Sequence, residues 1–216
     1  MTENYKILWE GGSGELVEKK SRFIARTCPA KSEEEALAFI EAMRKEYWDA
    51  RHHCFAYVLG ERNQIQRCSD DGEPSQTAGR PILDVILGEE VHNICLVVIR
   101  YFGGTLLGTG GLVRAYSGAA KEGLKGSAIV EKALGIQMTI TADYTRVGKL
   151  QYLLSQNQIP VLDSQYTDKV VITALSPMAC AEHLKSQLIE AAGGQLTLEE
   201  TLPLYYGIVD GEIILF

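Results

Sequence analysis

Residues 100–116 of the chain read RYFGGTLLGTGGLVRAY. An apolar run at residues 94–99, which predicts a strand, precedes the glycines, and a helical pattern follows them at residues 112–124. Glycine at this density is typical of backbone that adopts positive φ or that another group approaches closely. A strand leading through glycines into a helix would also present free amides at the positive end of the helix dipole. The sequence therefore predicts an anion site formed by Arg100, Gly103, Gly104, Gly108, Gly110, Gly111 and Arg114.

The spacing of these glycines excludes two standard nucleotide-binding motifs. The stretch lacks the Gly-Lys-Ser/Thr ending of a P-loop, and Gly-Thr-Gly-Gly is not the dinucleotide fingerprint. A purely structural interpretation also stays open, in which the glycines let the helix pack closely on the sheet.

A second segment, residues 69–79, is a polar loop that leads into a predicted helix at residues 82–87. Its Asp-Gly and Glu-Pro pairs mark a turn. Its hydroxyl groups could cap the helix, and its carboxylates could hold a hard cation or anchor arginines. A surface turn with a helix cap is the plainer interpretation. The residues concerned are Asp70, Asp71, Glu73, Ser75 and Thr77.

Two adjacent histidines open a predicted strand at residues 53–59. Because neighbouring strand residues point to opposite faces, His52 and His53 are not expected to share a metal ion, although one of them could face the groove. Cys54 is predicted to be a buried structural cysteine rather than a nucleophile. We assign no metal ligand and no catalytic residue. The predicted stacking or hydrogen-bonding groups of the site are His52, His53, Tyr101 and Tyr116.

Charge disfavours a generic DNA-binding protein. The 216 residues, 46% of them hydrophobic, suffice for one large or two small domains. They include 21 basic and 28 acidic residues, which give a net charge of −7. Residues 1–133 hold 17 basic and 19 acidic residues, whereas residues 134–216 hold 4 and 9. Any phosphate contact is therefore predicted in the first part of the chain.

Cysteine and apolar patterns predict a cytoplasmic protein without a cofactor. The five cysteines are an odd number and lack CxxC spacing, which argues against a disulfide framework or a zinc site. The sequence contains no run of about 18 apolar residues, and its first residues lack a signal pattern. We therefore expect no membrane contact.

The hydrophobic periodicity predicts two domains, residues 1–133 and 134–216. In the first, a capping box formed by Ser32 and Glu35 opens a helix, and the elements form an α+β unit with helices on one face of a sheet. Its other predicted elements are strands at 16–28, 53–59, 64–68 and 94–100 and helices at 82–87 and 112–124.

The second part follows the β-α-β-β-α-β order of a ferredoxin-like domain, a fold that hosts many functions. Gly193 and Gly194 are predicted to end its second helix. Its predicted elements lie at residues 135–141, 145–157, 160–166, 169–175, 178–192 and 195–205.

Three segments together, residues 51–57, 69–79 and 100–112, closely resemble the YigZ/IMPACT family in order and spacing. The resemblance covers residues 15 to 130, and residues 135–213 look like the smaller C-terminal domain of the bacterial members. It implies a first domain with the fold of the second domain of a small-subunit ribosomal protein, which also occurs in the tip domain of elongation factor G. It implies a second domain like the last domain of that factor. We predict that the three segments converge on one face of the first domain.

Two function classes stay open. The resemblance implies control of translation, and its eukaryotic members bind the activator of a stress-responsive initiation-factor kinase. We favour a non-catalytic, translation-associated regulatory protein that binds RNA, the ribosome or a protein partner through the Gly-rich groove. The alternative is an enzyme acting on a phosphorylated small molecule or peptide, with Asp70, Asp71 and Glu73 as metal or acid–base groups. The oligomeric state is left open.

Overall fold

The computed structural model describes residues 4–216, which divide into two units, one ending at Glu131 and the other beginning at Lys132. The predicted domain boundary between residues 133 and 134 stays a prediction. Residues 1–3, part of the N-terminal stretch inspected for a signal pattern, lie outside the described residues. Within residues 4–216, no helix is both long and apolar enough to cross a bilayer.

The first unit is built on a five-stranded antiparallel sheet in the order β2-β3-β7-β4-β5. Outside that sheet, β1 and β6 pair in parallel. The strands are β1 (Asn4–Glu10), β2 (Ser13–Glu18), β3 (Ser21–Pro29), β4 (His52–Leu59), β5 (Ile65–Ser69), β6 (Val91–His92) and β7 (Ile94–Tyr101), and the helices are α1 (Glu33–Glu46), α2 (Gly79–Gly88) and α3 (Gly108–Lys125).

Helices cover both faces of this sheet, not the single face that the sequence predicted. In β4, Cys54 and Ala56 pack into the core under α2 and α3, whereas Tyr57 and Leu59 pack into the core under α1. Strand β7 is accordingly buried at every position from Ile94 to Arg100, since a strand between two helical layers needs apolar side chains on both sides.

Three elements of the first unit differ from their predicted bounds by more than one residue at an end. The strand predicted at residues 16–28 is a hairpin, because Lys19 and Lys20 both adopt positive φ, 46° and 66°, and form its turn. Helices α2 and α3 begin three and four residues earlier than predicted, within stretches whose glycines weaken a helical pattern. One half of the predicted capping box of α1 is confirmed, since the Ser32 side chain accepts from the Glu35 amide, whereas the Glu35 carboxylate accepts from the amide of Lys31 and not from that of Ser32.

The second unit has the predicted ferredoxin-like order. Its central sheet runs β9-β10-β8-β11, and the glycines after α5 adopt positive φ as expected for a helix end. Its elements are β8 (Ala128–Ala142), of which residues 132–142 belong to this unit, α4 (Tyr144–Gln156), β9 (Val161–Tyr166), β10 (Val170–Pro177), a short 3-10 helix (Met178–Cys180), α5 (Ala181–Ala191) and β11 (Thr197–Glu200).

The second unit ends in a hairpin that the sequence analysis did not predict. The strand expected at residues 195–205 is interrupted after β11, and β12 (Leu204–Val209) pairs with β8 and with β13 (Glu212–Leu215). The molecule is thus an α+β protein. Its first unit is an antiparallel sheet with helices on both faces, and its second unit is ferredoxin-like.

Candidate functional site

The three segments meet at one end of the five-stranded sheet. His52, the first residue of β4, pairs in register with Arg100 near the end of β7. The acidic loop (residues 69–79) lies against this end of β4. The carbonyl oxygen of Asp71 lies 2.8 Å from His52 Nδ1, and Asp71 Oδ2 accepts a 2.7 Å hydrogen bond from the His53 amide. These contacts bring the segments together as predicted.

Asp70 caps helix α2 from the start of the acidic loop. Its Oδ1 accepts hydrogen bonds from the amides of Ala78 and Gly79 at 2.9 and 2.8 Å, and its Oδ2 accepts from the Gln76 amide at 2.8 Å. The N-cap residue, Ala78, has no side-chain oxygen of its own. A carboxylate at this place satisfies helix amides and opposes the positive end of the helix dipole.

The cap predicted for Ser75 or Thr77 is therefore wrong. Ser75 is exposed, and the Thr77 hydroxyl donates to the carbonyl of Pro74 at 2.7 Å, which leaves it outside the helix cap.

We expect Asp70→Ala to lower the free energy of unfolding by about 1–2 kcal/mol, since the helix loses its cap. Asp70→Asn, whose side chain keeps one acceptor oxygen, should lose less. Urea denaturation of both variants measures the difference. An Asp70→Ala variant as stable as the natural chain would contradict the capping role.

Glu73 organises a buried polar network behind the acidic loop. Its Oε1 accepts from Arg100 Nη1 at 2.5 Å and from the Tyr116 hydroxyl at 2.8 Å, and the side chains of Glu73 and Arg100 are only 4% and 8% exposed. The thiol of Cys54 donates to the carbonyl of Asp70 at 3.0 Å. Burial raises the pKa of Cys54 and that of Tyr116, so both groups stay protonated at neutral pH. Cys54 is thus the structural cysteine that the sequence predicted.

This network changes what the sequence predicted for three site residues. Arg100 is 7% exposed and paired with Glu73, so it is not the free surface charge expected from the sequence. Tyr116 is fully buried with its ring edge-on to Phe23 at 5.1 Å, and His53 is 6% exposed with Nε2 held 3.1 Å from a backbone carbonyl. Neither ring can stack on a ligand. His52 is half-buried, with one ring nitrogen against the acidic loop.

The carboxylates of the acidic loop all make internal bonds. Asp70 caps α2, Glu73 neutralises Arg100, and Asp71 contacts Arg44 at 3.2 Å as well as the β4 backbone. Within residues 4–216, no three His, Cys, Asp or Glu side chains are grouped so that they could hold a metal ion. The loop anchors arginines, which is one of the two roles predicted for it.

The glycine-rich loop (residues 103–111) combines structural glycines with open ones. Gly103 packs against the turn of the β2–β3 hairpin, where an added Cβ would overlap the backbone of Lys20. Gly104 and Gly108 adopt positive φ, 85° and 71°, and have open space where a side chain would be. Gly103 is thus closely packed, but against the hairpin turn and not between helix and sheet, and Gly104 and Gly108 are not closely packed at all.

Helix α3 begins inside this loop without a side-chain cap. Its N-cap residue is Leu107, whose side chain makes no capping hydrogen bond to the first amides. Gly110 lies in the first turn, and the guanidinium of Arg114 lies 3.6 Å from the position that a Cβ of Gly110 would occupy. The first amides, which have no partner within the helix, therefore lie close to a positive side chain.

Four basic side chains near this loop carry no counter-charge. Among residues 4–216, no acidic group forms an ion pair with Lys19, Lys20, Arg51 or Arg114, and all four are exposed. The sequence analysis missed the two lysines because it placed them inside a strand. The pairing of β2 with β3 places the turn formed by these lysines next to Gly103. The sequence analysis did not predict that pairing.

Two domain families match the chain. Residues 19–124 match the Impact N-terminal domain, and residues 140–195 match a domain of unknown function, DUF1949. The chain is similar to the IMPACT family member YvyE of Bacillus subtilis (strain 168), with 43% identity over 79% of this chain and 78% of that protein. It is also similar to the IMPACT family member YigZ of Escherichia coli (strain K12), with 38% identity over 83% of this chain and 89% of that one.

The fold is also similar to that of solved structures. Among them is the crystal structure of a hypothetical protein, with 36% identity and a TM-score of 0.59, and the match covers 92% of this chain and 97% of that one.

Proposed function

The chain belongs to the IMPACT family, and on this premise we propose that it is a translation-associated regulatory protein that binds RNA through the glycine-rich loop of its first unit. The RNA would be free or part of the ribosome, and the proposed setting is the cytoplasm. The resemblance to a family linked with translation supports the proposed role in translation. The chemistry of the loop supports RNA as the proposed ligand.

One observation carries the proposal: the uncapped start of α3 lies beside Arg114, whose guanidinium has no acidic partner among residues 4–216. Backbone amides at a helix N-terminus bind phosphate oxygens, and an adjacent guanidinium adds a charge-assisted hydrogen bond. Contacts link these groups across the loop, since Gly103 touches the backbone of Lys20 and Gly110 lies next to Arg114. Amides and basic side chains together are the usual phosphate contacts of nucleic-acid-binding proteins.

RNA fits this surface better than duplex DNA bound through charge alone. The whole chain carries a net charge of −7, so long-range attraction to a polyanion is weak. Binding would instead depend on the few local contacts that the loop offers. Single-stranded RNA can present its phosphates and bases to such a small surface.

We expect Arg114→Ala to weaken binding of a short single-stranded RNA by about 1–3 kcal/mol, because it removes a charge-assisted hydrogen bond to a phosphate. Replacing both Lys19 and Lys20 by alanine should lower the salt slope of the binding constant by about 0.7 for each phosphate that is no longer neutralised. Fluorescence anisotropy at low and high salt measures both quantities.

Arg62→Ala is the matched control, because Arg62 is an exposed arginine of the same unit that follows the opposite end of β4. It should leave the affinity unchanged. If Arg114→Ala and Arg62→Ala behave alike, the glycine-rich loop is not the RNA site. If the natural chain binds no RNA at low salt but binds an acidic protein partner through Arg114, the ligand assignment is wrong.

The enzyme alternative has no specific observation in its favour. Its proposed metal or acid–base groups were Asp70, Asp71 and Glu73, and each of these is bound to helix amides, strand amides or an arginine. A general acid or base needs an atom that reaches the substrate.

A further inference from the structure

A surface cavity of about 210 Å³ lies at the end of β7, next to the glycine-rich loop. Its lining residues are two arginines, one aspartate and two aromatic residues. The carboxylate of Asp49 accepts a hydrogen bond from the hydroxyl of Tyr101 at 2.7 Å. The lining residues are Asp49, Arg51, Arg100, Tyr101 and Phe102.

Arg100 has hydrogen-bonding capacity that the protein does not use. A guanidinium has five N–H donors, and Glu73 accepts from Nη1. The Nε of Arg100 is buried and has no hydrogen-bond partner among the described residues. A buried donor without an acceptor is costly, and native proteins normally satisfy it. An acceptor that reached this N–H would satisfy it.

Arg51 adds a second positive charge to the same cavity. Its side chain is exposed, and it forms no ion pair or side-chain hydrogen bond with any of residues 4–216. Glu73 already neutralises Arg100, so Arg51 is the cation of this lining that has no ion-pair partner among the described residues. A phosphate group, which accepts several hydrogen bonds at once, matches the unused N–H donors of the two arginines.

Phe102 supplies an aromatic surface at the mouth of the cavity. The Cζ atom of Arg100 lies 5.6 Å from the centre of its ring, and 5.4 Å from the centre of the buried Phe23 ring. Phe102 is nevertheless 49% exposed, so part of its ring is open to solvent. Exposed aromatic rings beside basic groups are the stacking platforms of proteins that bind single-stranded nucleic acids.

We propose that this cavity is a nucleotide subsite, in which Arg51 and Arg100 bind one phosphate and Phe102 stacks on the attached base. The inference rests on the proposed RNA binding and deepens it, since it gives the site a preference for an unstacked nucleotide. The same chemistry occurs in a free mononucleotide and in single-stranded RNA, so both sources are tested.

The test compares adenosine 5′-monophosphate, adenosine, inorganic phosphate and oligoadenylate RNA by following backbone amide NMR shifts of the whole chain. The amides of residues 49–51 and 101–103 report on the cavity. Arg51→Ala should weaken the binding of the monophosphate and of inorganic phosphate by about tenfold and leave the binding of adenosine unchanged. Phe102→Leu should weaken the binding of the monophosphate and of adenosine by about tenfold and leave the binding of inorganic phosphate unchanged.

Asp49→Asn gives a test of opposite sign. Its side-chain oxygen can still accept the Tyr101 hydroxyl, but a negative charge leaves the lining, so phosphate binding should tighten by about threefold or more. Glu34→Gln is the matched control, because Glu34 is exposed at the start of α1, at the opposite end of the sheet from Tyr101. It should leave binding unchanged.

The outcomes separate this inference from the proposed function. If RNA binding falls with Arg114→Ala but not with Arg51→Ala or Phe102→Leu, the subsite is overturned and the proposed function stands. If the monophosphate binds as expected but oligoadenylate does not bind at all, the subsite is supported and RNA as the ligand is overturned. If Arg51→Ala and Phe102→Leu weaken the same probes equally, a general loss of structure explains them and the subsite is overturned.

Discussion

Replacing Glu73 by alanine is expected to lower the free energy of unfolding by about 3–5 kcal/mol, the largest effect of any single charge removal in the first unit. Glu73 is the acceptor for both Arg100 and Tyr116, and its side chain is 4% exposed. Without it, a guanidinium stays buried near the rings of Phe23 and Phe102 with no counter-charge. Urea denaturation followed by circular dichroism measures the loss.

Glu15→Ala is the matched control for this prediction. Glu15 also binds an arginine, Arg22, through two hydrogen bonds of 2.7 and 2.8 Å, but both side chains are more than 40% exposed. An exposed pair contributes about 0–1 kcal/mol, so this variant should remain nearly as stable as the natural chain. Equal losses from Glu15→Ala and Glu73→Ala would show that burial of the second pair has no energetic consequence.

A double variant, Glu73→Leu with Arg100→Met, separates the cost of an orphaned charge from the value of the pair. Apolar side chains of similar size that replace both members of a buried pair are often neutral or stabilising. The double variant should therefore recover the part of the lost stability that is due to the orphaned guanidinium, but not the part due to the Tyr116 hydroxyl, which still lacks its acceptor. If it is as unstable as the single variant, the pair itself stabilises the fold.

The burial of Arg100 was predictable from the sequence, although its partner was not. Strand alternation places Arg100 on the same face as Leu96 and Val98, both of which lie in the core under α2 and α3. An arginine in that register must find an acceptor. Glu73 supplies it from a loop 27 residues away, and the strand pattern contains no information about where such a loop lies.

The sequence analysis missed two hairpins for different reasons. The first turn consists of Lys19 and Lys20, and lysine gives no signal for positive φ, so only pairing with β3 forces the chain to turn there. The second turn is Asp210 followed by Gly211, with φ of 51° and 84°. Asp-Gly between apolar residues is a strong hairpin signal, so the sequence did contain that turn.

The ferredoxin-like unit was predictable because its signals are local. Each helix has apolar residues at helical spacing, and Gly193 and Gly194 end α5 with positive φ. The candidate site is different, because it depends on which loop lies against which strand end. The resemblance to a known family, not periodicity, predicted that its three segments meet.

The glycine-rich loop gives the second large expected effect. Gly103→Ala should lower the free energy of unfolding by about 3 kcal/mol or more, since the new methyl group would overlap the backbone of Lys20 and Ser21. That backbone cannot move freely, because Ser21 opens β3 and its hydroxyl accepts a 3.1 Å hydrogen bond from the Gly103 amide. Thermal and urea denaturation of the variant measure the loss.

Two neighbouring glycines serve as controls, and each has its own expected result. Gly104→Ala meets no atom but keeps a φ of 85°, so it should cost about 1–2 kcal/mol from backbone strain alone. Gly110 lies in the first turn of α3, and an added methyl group would make only an ordinary 3.6 Å contact with the Arg114 side chain, so Gly110→Ala should stabilise the helix by about 0.5–1 kcal/mol. A large loss, a small loss and a gain are therefore expected at three positions of one loop. Equal losses of stability at all three positions would mean that the loop needs glycine for flexibility throughout. They would contradict a specific role for close packing at Gly103.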